Sequence, residues 1–159
     1  QRGVVQGIVA IGDNQVRAKI AEDLLAREFV LVSSVHPSAV IDATVKVGQG
    51  SVVMAGVIVN SSATVGNNVI LNTACSVDHD CVIEDHAHIL PGVHLGGNVH
   101  VGTRTQIGIG ASVLPNLRIG KDVMVGGGSA VIHSIPDNSV AAGVPAKVIK
   151  QNPCSGTTV

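Results

Sequence analysis

Aromatic residues are almost absent from this sequence of 159 residues, which has one phenylalanine and neither tyrosine nor tryptophan. Aromatic side chains supply much of the buried area in most protein cores. A sequence that is 45% hydrophobic without them has to build its core from valine, isoleucine, leucine and alanine. Such a composition favours thin, regular layers of small aliphatic side chains.

Three other features that are scarce or missing exclude further classes of protein. The three cysteines are too few for a disulfide scaffold, so a reducing cytoplasm is the expected location. A net charge of −1 provides no overall positive field that would attract nucleic acid. No apolar stretch approaches ~20 residues and no segment resembles a signal peptide, so we expect no membrane partner.

An aliphatic residue recurs at every sixth position from Val35 to Val131, seventeen times without an exception. Four residues after each of these comes a small or β-branched residue in nearly every case, and Cys75 and Cys81 belong to this second series. Helices favour a period near 3.6 and strands a period of 2, so a period of 6 indicates a short strand followed by a corner. Three such units close a triangular coil with both series pointing inward, which predicts that the two cysteines are core residues.

Seventeen hexads make nearly six coils, and no hexad is interrupted. At ~4.8 Å per stacked strand, residues 35–136 are predicted to form a prism roughly 27 Å tall. Glycine often follows the aliphatic residue, as at Gly48 and Gly102, and predicts tight or positive-φ geometry there. The predicted fold class is all-β, a parallel β-helix of hexapeptide repeats.

The two ends of the chain depart from this period. Residues 1–34 indicate a partial α/β unit, with an apolar run at 7–11, a turn at 12–14, a helix over 15–27 and a strand over 29–32. One such unit cannot close a sheet, so we expect either further chain before Gln1 or packing on the end of the prism. Residues 137–150 are predicted to cap the prism, and residues 151–159 to form a loose tail.

The segment 77–100 holds five of the seven histidines and four acidic residues. Most charged side chains on a β-helix are simply solvated, and that interpretation stands beside the functional one for each histidine. His79 next to Asp80 is the stronger pattern, because a neighbouring carboxylate orients an imidazole and raises its basicity. The pair suits a general base that works near neutral pH.

Metal binding is the alternative for a segment rich in histidine. His88, His94 and His100 are six residues apart, so they occupy one hexad position on three successive faces and point in divergent directions. A three-histidine site would need a second subunit, and the His-x4-His pattern of the γ-class carbonic anhydrases is absent. We therefore expect no metal.

Charge is uneven along the prism, since residues 101–150 carry five cations and two acids. A phosphate-rich ligand such as coenzyme A would favour this half, although scattered surface lysines explain the same count.

Several motifs together resemble the bacterial sugar acetyltransferases with hexapeptide repeats, the group of sialic acid O-acetyltransferase and UDP-4-amino-sugar N-acetyltransferase. The resemblance covers about residues 8–150 and is carried by Ala10-Ile11-Gly12-Asp13-Asn14, Val35-His36-Pro37-Ser38-Ala39, Asn72-Thr73, Asp78-His79-Asp80-Cys81, Pro91-Gly92, Gly96-Gly97-Asn98-Val99 and Ala142-Gly143-Val144-Pro145-Ala146-Lys147. It implies a left-handed coil, since known hexapeptide repeats have that hand. It also implies transfer of an acetyl group from acetyl-CoA to an amino or hydroxyl group of a sugar, carried by a nucleotide.

The resemblance implies roles for individual residues. His79 would be the general base and Asp80 the acid that tunes it. Acetyl-CoA would lie in a groove between two subunits of a homotrimer, with its acetyl carbonyl on His88 and the rest of the molecule near Ile109, Gly127, Gly143 and Lys147. The nucleotide sugar would lie near Gly12 and Asn14. Family members begin with a strand and a glycine-rich loop that help to hold the nucleotide, and neither has a match here, so a chain that starts near Gln1 would have an incomplete acceptor site.

Two other hypotheses remain open from the sequence. One is a metal enzyme similar to the γ-carbonic anhydrases, and the other is a hexapeptide scaffold without catalytic activity. Direct transfer of the acetyl group needs no covalent enzyme intermediate, which agrees with the lack of a convincing nucleophile in the sequence.

Overall fold

The computed structural model describes residue 3 and residues 5–152, and it is a left-handed parallel β-helix preceded by one short helix. The N-terminal elements are β1 (Gln6–Gly7), α1 (Asn14–Ala26) and β2 (Val30–Leu31), and β1 pairs in parallel with β2. No helix in the described part of the chain has the length and apolar character that a bilayer span requires.

Seventeen strands of two residues build the prism, and each ends on one of the predicted aliphatic residues. They are β3 (Ser34–Val35), β4 (Val40–Ile41), β5 (Lys46–Val47), β6 (Val52–Val53), β7 (Ile58–Val59), β8 (Thr64–Val65), β9 (Ile70–Leu71), β10 (Ser76–Val77), β11 (Val82–Ile83), β12 (His88–Ile89), β13 (His94–Leu95), β14 (His100–Val101), β15 (Gln106–Ile107), β16 (Ser112–Val113), β17 (Arg118–Ile119), β18 (Met124–Val125) and β19 (Ala130–Val131). The period of 6 is thereby confirmed as a strand plus a corner.

Each strand from β3 to β16 pairs in parallel with the strand one coil later, eighteen residues on, as Ser76 does with His94. Three faces result. The first contains β3, β6, β9, β12, β15 and β18, the second β4, β7, β10, β13, β16 and β19, and the third β5, β8, β11, β14 and β17. We call the corner between the first and second faces the first corner, that between the second and third the second corner, and that between the third and first the third corner.

The corners turn on one residue with left-handed backbone, and a positive φ recurs at every sixth residue from Gly50 to Gly128. This residue lies three places after the aliphatic one. Gly48 and Gly102, directly after the aliphatic residue, are not among the positive-φ residues. A Cβ on Gly48 would lie 2.5 Å from the carbonyl carbon of Gly66 in the next coil. The tight geometry predicted at these glycines is confirmed, whereas the positive φ predicted there is wrong, since the left-handed residue lies two places later.

Both inward series are buried along most of the prism, and Leu71, Ile89 and Ile107 are completely inaccessible. Cys75 and Cys81 are also inaccessible free thiols, which confirms them as core residues. Burial raises the pKa of the Cys75 thiol to about 12. A thiol with so high a pKa is not a nucleophile near neutral pH.

The far end of the prism carries an antiparallel hairpin of β20 (Ser139–Gly143) and β21 (Ala146–Gln151). Strand β20 pairs in parallel with β18, so the hairpin continues the first face. Ile135 and Ala141 pack into the core at this end. The hairpin includes Gln151, the first residue of the predicted tail, and residues 153–159 of that tail lie outside the described residues.

Helix α1 begins after Asp13, whose carboxylate accepts hydrogen bonds from the backbone N–H groups of Gln15 and Val16. Ile20 and Leu24 pack against a small apolar cluster of Val9, Ala21 and Leu31, whereas Val16 is 46% exposed. The side that faces the prism is largely polar, because Asn14 and Arg17 are buried there. The apolar spacing predicted the helix but not the face that packs on the prism.

Arg17 holds the N-terminal unit against the third corner. Its guanidinium is fully buried and donates to the carbonyl oxygens of Asn68 and His86 on the prism, at 3.1 and 2.7 Å. It also donates to the carbonyls of Ile11 and Gly12 in its own unit. Burial lowers the pKa of Arg17 to about 10, so the group stays charged at neutral pH. The unit thus packs along the side of the prism and not on its end.

Arg17→Met should destabilise the N-terminal unit selectively, because it leaves buried carbonyl oxygens without donors. We expect a loss of about 1–3 kcal/mol in the free energy of unfolding, with faster hydrogen exchange confined to residues 5–32. Lys19→Met, on the exposed side of the same helix, is the matched control. Equal exchange rates in both variants would contradict the role of Arg17.

Candidate active site

His79 and Asp80 lie at the second corner, between β10 and β11, and both side chains are 58% exposed. Nδ1 of His79 is 2.8 Å from Oδ2 of Asp80. An ionised carboxylate only accepts hydrogen bonds, so we assign the imidazole proton to Nδ1, which leaves the Nε2 lone pair available to take a proton. The backbone of Asp80 is left-handed (φ 59°), a conformation that aspartate tolerates better than most residues.

The charges around His79 make it a stronger base. The hydrogen bond to Asp80 raises the pKa of His79, and the negative charge of Asp78 raises it further. Asp78 itself is held by two donors on Oδ1, the side-chain amide of Asn60 at 2.9 Å and the backbone N–H of His79 at 2.8 Å. These two bonds hold the pKa of Asp78 below its ordinary value. Both neighbouring carboxylates, those of Asp80 and Asp78, thus raise the pKa of the imidazole.

A shallow groove of about 350 Å³ runs along the second face beside Asp78. Its polar wall contains Ser76 and His94, joined by a hydrogen bond of 2.8 Å between Oγ and Nδ1. Its apolar wall contains Leu114 and Pro115. No motif in the sequence predicts this groove, although Ser76 and His94 occupy equivalent positions in successive coils.

The ring of His79 also lies against the next coil. The nearest heavy atoms to a Cβ built on Gly97 would be Cε1 and Nε2 of His79, both at 2.6 Å. Gly97 appeared in the sequence analysis only as part of a motif, without a role. The feature of the sequence that could have placed Gly97 beside the imidazole is its spacing of eighteen residues, one coil, from His79.

His88 lies on the first face, away from His79, and is 8% exposed. Its Nε2 contacts the side-chain nitrogen of Asn72 at 3.1 Å, and its Nδ1 contacts the carbonyl oxygen of Gly12 at 3.3 Å. Asn72 Oδ1 accepts from the backbone N–H of Thr73, which orients the Asn72 amide with its nitrogen toward His88. Because Asn72 donates to Nε2, the proton of His88 is on Nδ1. Burial lowers the pKa of His88 and favours this neutral form.

The residues expected near acetyl-CoA lie together on another part of the surface. Ile109, which is 60% exposed, and Gly127 are stacked at the first corner, where the Gly128 N–H donates to the Ile109 carbonyl at 2.8 Å. Gly143 and Lys147 belong to the hairpin that continues the first face, and both are exposed.

The two residues expected near the nucleotide sugar have structural contacts of their own. The Gly12 carbonyl accepts from Arg17 and contacts His88, as described above. The Asn14 side chain is buried, donates to the Arg104 carbonyl at 2.9 Å and accepts from Arg17 at 2.7 Å. The amide of Asn14 thus docks the helix on the prism, whereas Gly12 and Asp13 in the preceding loop are exposed to solvent.

Within one chain, the expected site residues do not form a single cluster. His79 and Asp80 lie at the second corner, whereas Ile109 and Gly127 lie at the first corner, on the opposite edge of the second face. No segment of the described residues brings these two corners together. A site that uses both groups needs a second chain.

The histidines expected to diverge do so, since His88, His94 and His100 stand on β12, β13 and β14 in three different sheets. Across the described residues, no three His, Cys, Asp or Glu side chains are placed so that they could hold a metal ion.

Comparison with solved structures reveals strong likeness to sugar N-acetyltransferases. Perosamine N-acetyltransferase (PerB) from Caulobacter crescentus, solved with CoA and GDP-perosamine, is 42% identical with a TM-score of 0.92, over 94% of this chain and 72% of that chain. The acetyltransferase domain of PglB from Neisseria gonorrhoeae is 40% identical with a TM-score of 0.88, over 89% and 69% of the two chains, and has been solved with acetyl coenzyme A.

Among curated proteins, a serine acetyltransferase from Haemophilus influenzae is 37% identical over 84 residues, which are 48% of this chain and 32% of that protein. The match therefore spans about a third of the length of this relative. No protein-family model matches the chain.

Asp80→Asn should lower the pKa of His79, because a neutral amide replaces the carboxylate whose charge-assisted hydrogen bond contributes most to the raised value. An NMR titration of the imidazole resonances measures this pKa directly. Asp85→Asn, at the third corner, is the control and should leave the His79 titration where it is in the unmodified chain. An unchanged titration in Asp80→Asn would remove Asp80 from its tuning role.

Proposed function

Because this chain belongs to the hexapeptide-repeat sugar acetyltransferases, we propose that it moves an acetyl group from acetyl-CoA to an amino group of a nucleotide-linked sugar. The observation that carries the proposal is the exposed His79–Asp80 pair, with Nε2 of the imidazole available as a base. The ligands of PerB, CoA and GDP-perosamine, support this choice of donor and acceptor class.

In the proposed reaction, Nε2 of His79 takes a proton from the acceptor nitrogen as that nitrogen attacks the thioester carbonyl. The new C–N bond forms, the C–S bond breaks, and the imidazolium returns the proton to the departing thiolate of CoA. Asp80 stabilises the imidazolium while it exists. An enzyme nucleophile is not required, and the high pKa of the buried Cys75 thiol agrees with direct transfer.

The oxyanion that develops on the thioester carbonyl needs hydrogen-bond donors. Backbone N–H groups or His88 are our candidates for this role. Donation from His88 would require its proton on Nε2, whereas its contacts with Asn72 and Gly12 place the proton on Nδ1. His88 could therefore donate to the oxyanion only if the Asn72 amide turned away from Nε2 and the proton moved to that nitrogen.

We propose that the complete site lies between two subunits of a homotrimer. His79 and Asp80 of one chain would face Ile109 and Gly127 of its neighbour, since one prism separates these two corners by a whole face. Gly143 and Lys147 would contact the adenosine end of CoA, and the loop at Gly12 and Asn14 would lie near the nucleotide sugar. The free thiols of Cys75 and Cys81 agree with a cytoplasmic location.

The proposal predicts thiol release from acetyl-CoA in the presence of a UDP-, dTDP- or GDP-linked 4-amino sugar. His79→Ala should lower this turnover by at least ~10² because the general base is lost. Sialic acid, L-serine and nucleotide sugars without an amino group are the control acceptors.

If no acceptor in the panel causes thiol release and acetyl-CoA does not bind, the transferase proposal is overturned in favour of a scaffold. If His79→Ala retains turnover and its circular dichroism is unchanged, His79 is not the general base. Zinc detected in active protein by elemental analysis would favour the metal enzyme.

The intersubunit site predicts a particle with three times the mass of one chain in light scattering. We expect full activity only at protein concentrations where that particle persists, because each site needs two chains. A monomeric particle with full turnover would contradict the division of the site between chains.

A further inference from the structure

The ring of His79 lies on the backbone of the next coil, and the residue beneath it is Gly97. A Cβ on Gly97 would lie 2.6 Å from Cε1, 2.6 Å from Nε2 and 3.3 Å from Cδ2 of the imidazole. Outside residues 96–98, these three ring atoms are its nearest neighbours. Any side chain at this position would therefore occupy the place of the ring.

The backbone gives no other reason for glycine at this position. Gly97 is not among the residues with positive φ, and the left-handed residue of this corner is Asn98, with φ 57°. The carbonyl of Gly97 accepts from the backbone N–H of Asn116, as any residue's carbonyl would. Gly96 differs, because its Cβ would meet Pro115, at 2.8 Å from Cδ, and not His79.

The contact matters because His79 has little else to hold it. More than half of the side chain is exposed, and within residues 5–152 the ring makes one hydrogen bond, that from Nδ1 to Asp80. A single hydrogen bond leaves an exposed ring free to change rotamer. Gly97 lies against the Cε1–Nε2 bond of the ring, so this contact and the hydrogen bond to Asp80 together set the direction of Nε2.

We infer that Gly97 is a positioning residue: it leaves the space in which the imidazole of His79 lies between Asp80 and the adjacent coil. A methyl group at residue 97 displaces the ring from Asp80 and misdirects Nε2. The kinetic consequence rests on the proposed function of His79 as the base, whereas the displacement of the ring does not.

The first test is the NMR titration of His79 in Gly97→Ala. We expect its pKa to fall, as in Asp80→Asn, because the displaced ring loses the carboxylate that raises it. Gly96→Ala is the matched control, with a methyl group added one residue away against Pro115, and its His79 titration should match that of the unmodified chain. An unchanged His79 titration in Gly97→Ala overturns the inference.

The second test is a double-mutant cycle on thiol release with the active acceptor. Gly97→Ala should lower kcat by ~10² through misplacement of the base and leave the KM for acetyl-CoA within about two-fold. In the His79→Ala background the same substitution should cause no further loss, since the two residues act as one unit. A further loss of similar size in that background would show that Gly97 acts independently of His79.

Folding supplies the remaining control. If Gly97→Ala does not fold alone but folds when combined with His79→Ala, the clash is with the ring and the inference stands. Failure to fold in both backgrounds would show that the backbone requires glycine, which overturns it. A wild-type chain that shows no turnover and does not bind acetyl-CoA would overturn the proposed function, and the NMR titration would still decide the role of Gly97.

Discussion

The parallel register of eighteen residues is the constraint on which the rest of the structure depends. Each inward aliphatic side chain stacks on its equivalent in the neighbouring coils, so the core and the backbone hydrogen bonds repeat together. The same register decides which outward residues meet. It joins Asn60 to Asp78, Ser76 to His94, and the ring of His79 to Gly97. The candidate site is therefore assembled from residues one coil apart.

The triangular cross-section separates residues that are not one coil apart. Successive hexads turn to different faces, so His79, His88 and Ile109 are directed away from each other although few residues separate them in sequence. The grooves that the described residues line on a single prism, such as the one beside Asp78, are shallow and open to solvent. Catalysis on such a surface requires a second surface, which is the physical basis for placing the proposed site between chains.

The N-terminal unit is attached by polar contacts, in contrast to the aliphatic prism. The guanidinium of Arg17 donates hydrogen bonds to carbonyl oxygens of both units, and the side-chain amide of Asn14 donates to the carbonyls of Arg104 and Thr105 across the same boundary. These directional contacts set the position of the loop that carries Gly12. Through the Gly12 carbonyl they also determine the proton position on His88, so the docking of the helix and the chemistry of the first face are connected.

Sequence alone determined the strands, the two inward series and the buried cysteines, because the same short-range pattern is repeated seventeen times. It also determined the contact of His79 with Asp80, because neighbours in sequence remain neighbours in space. Tertiary structure decided the packed face of α1, since Arg17 meets carbonyls 51 and 69 residues away. It also decided the proton position on His88 and the place of Gly97 under the imidazole. These contacts each occur once, between residues far apart in the chain, and no periodic pattern reports them.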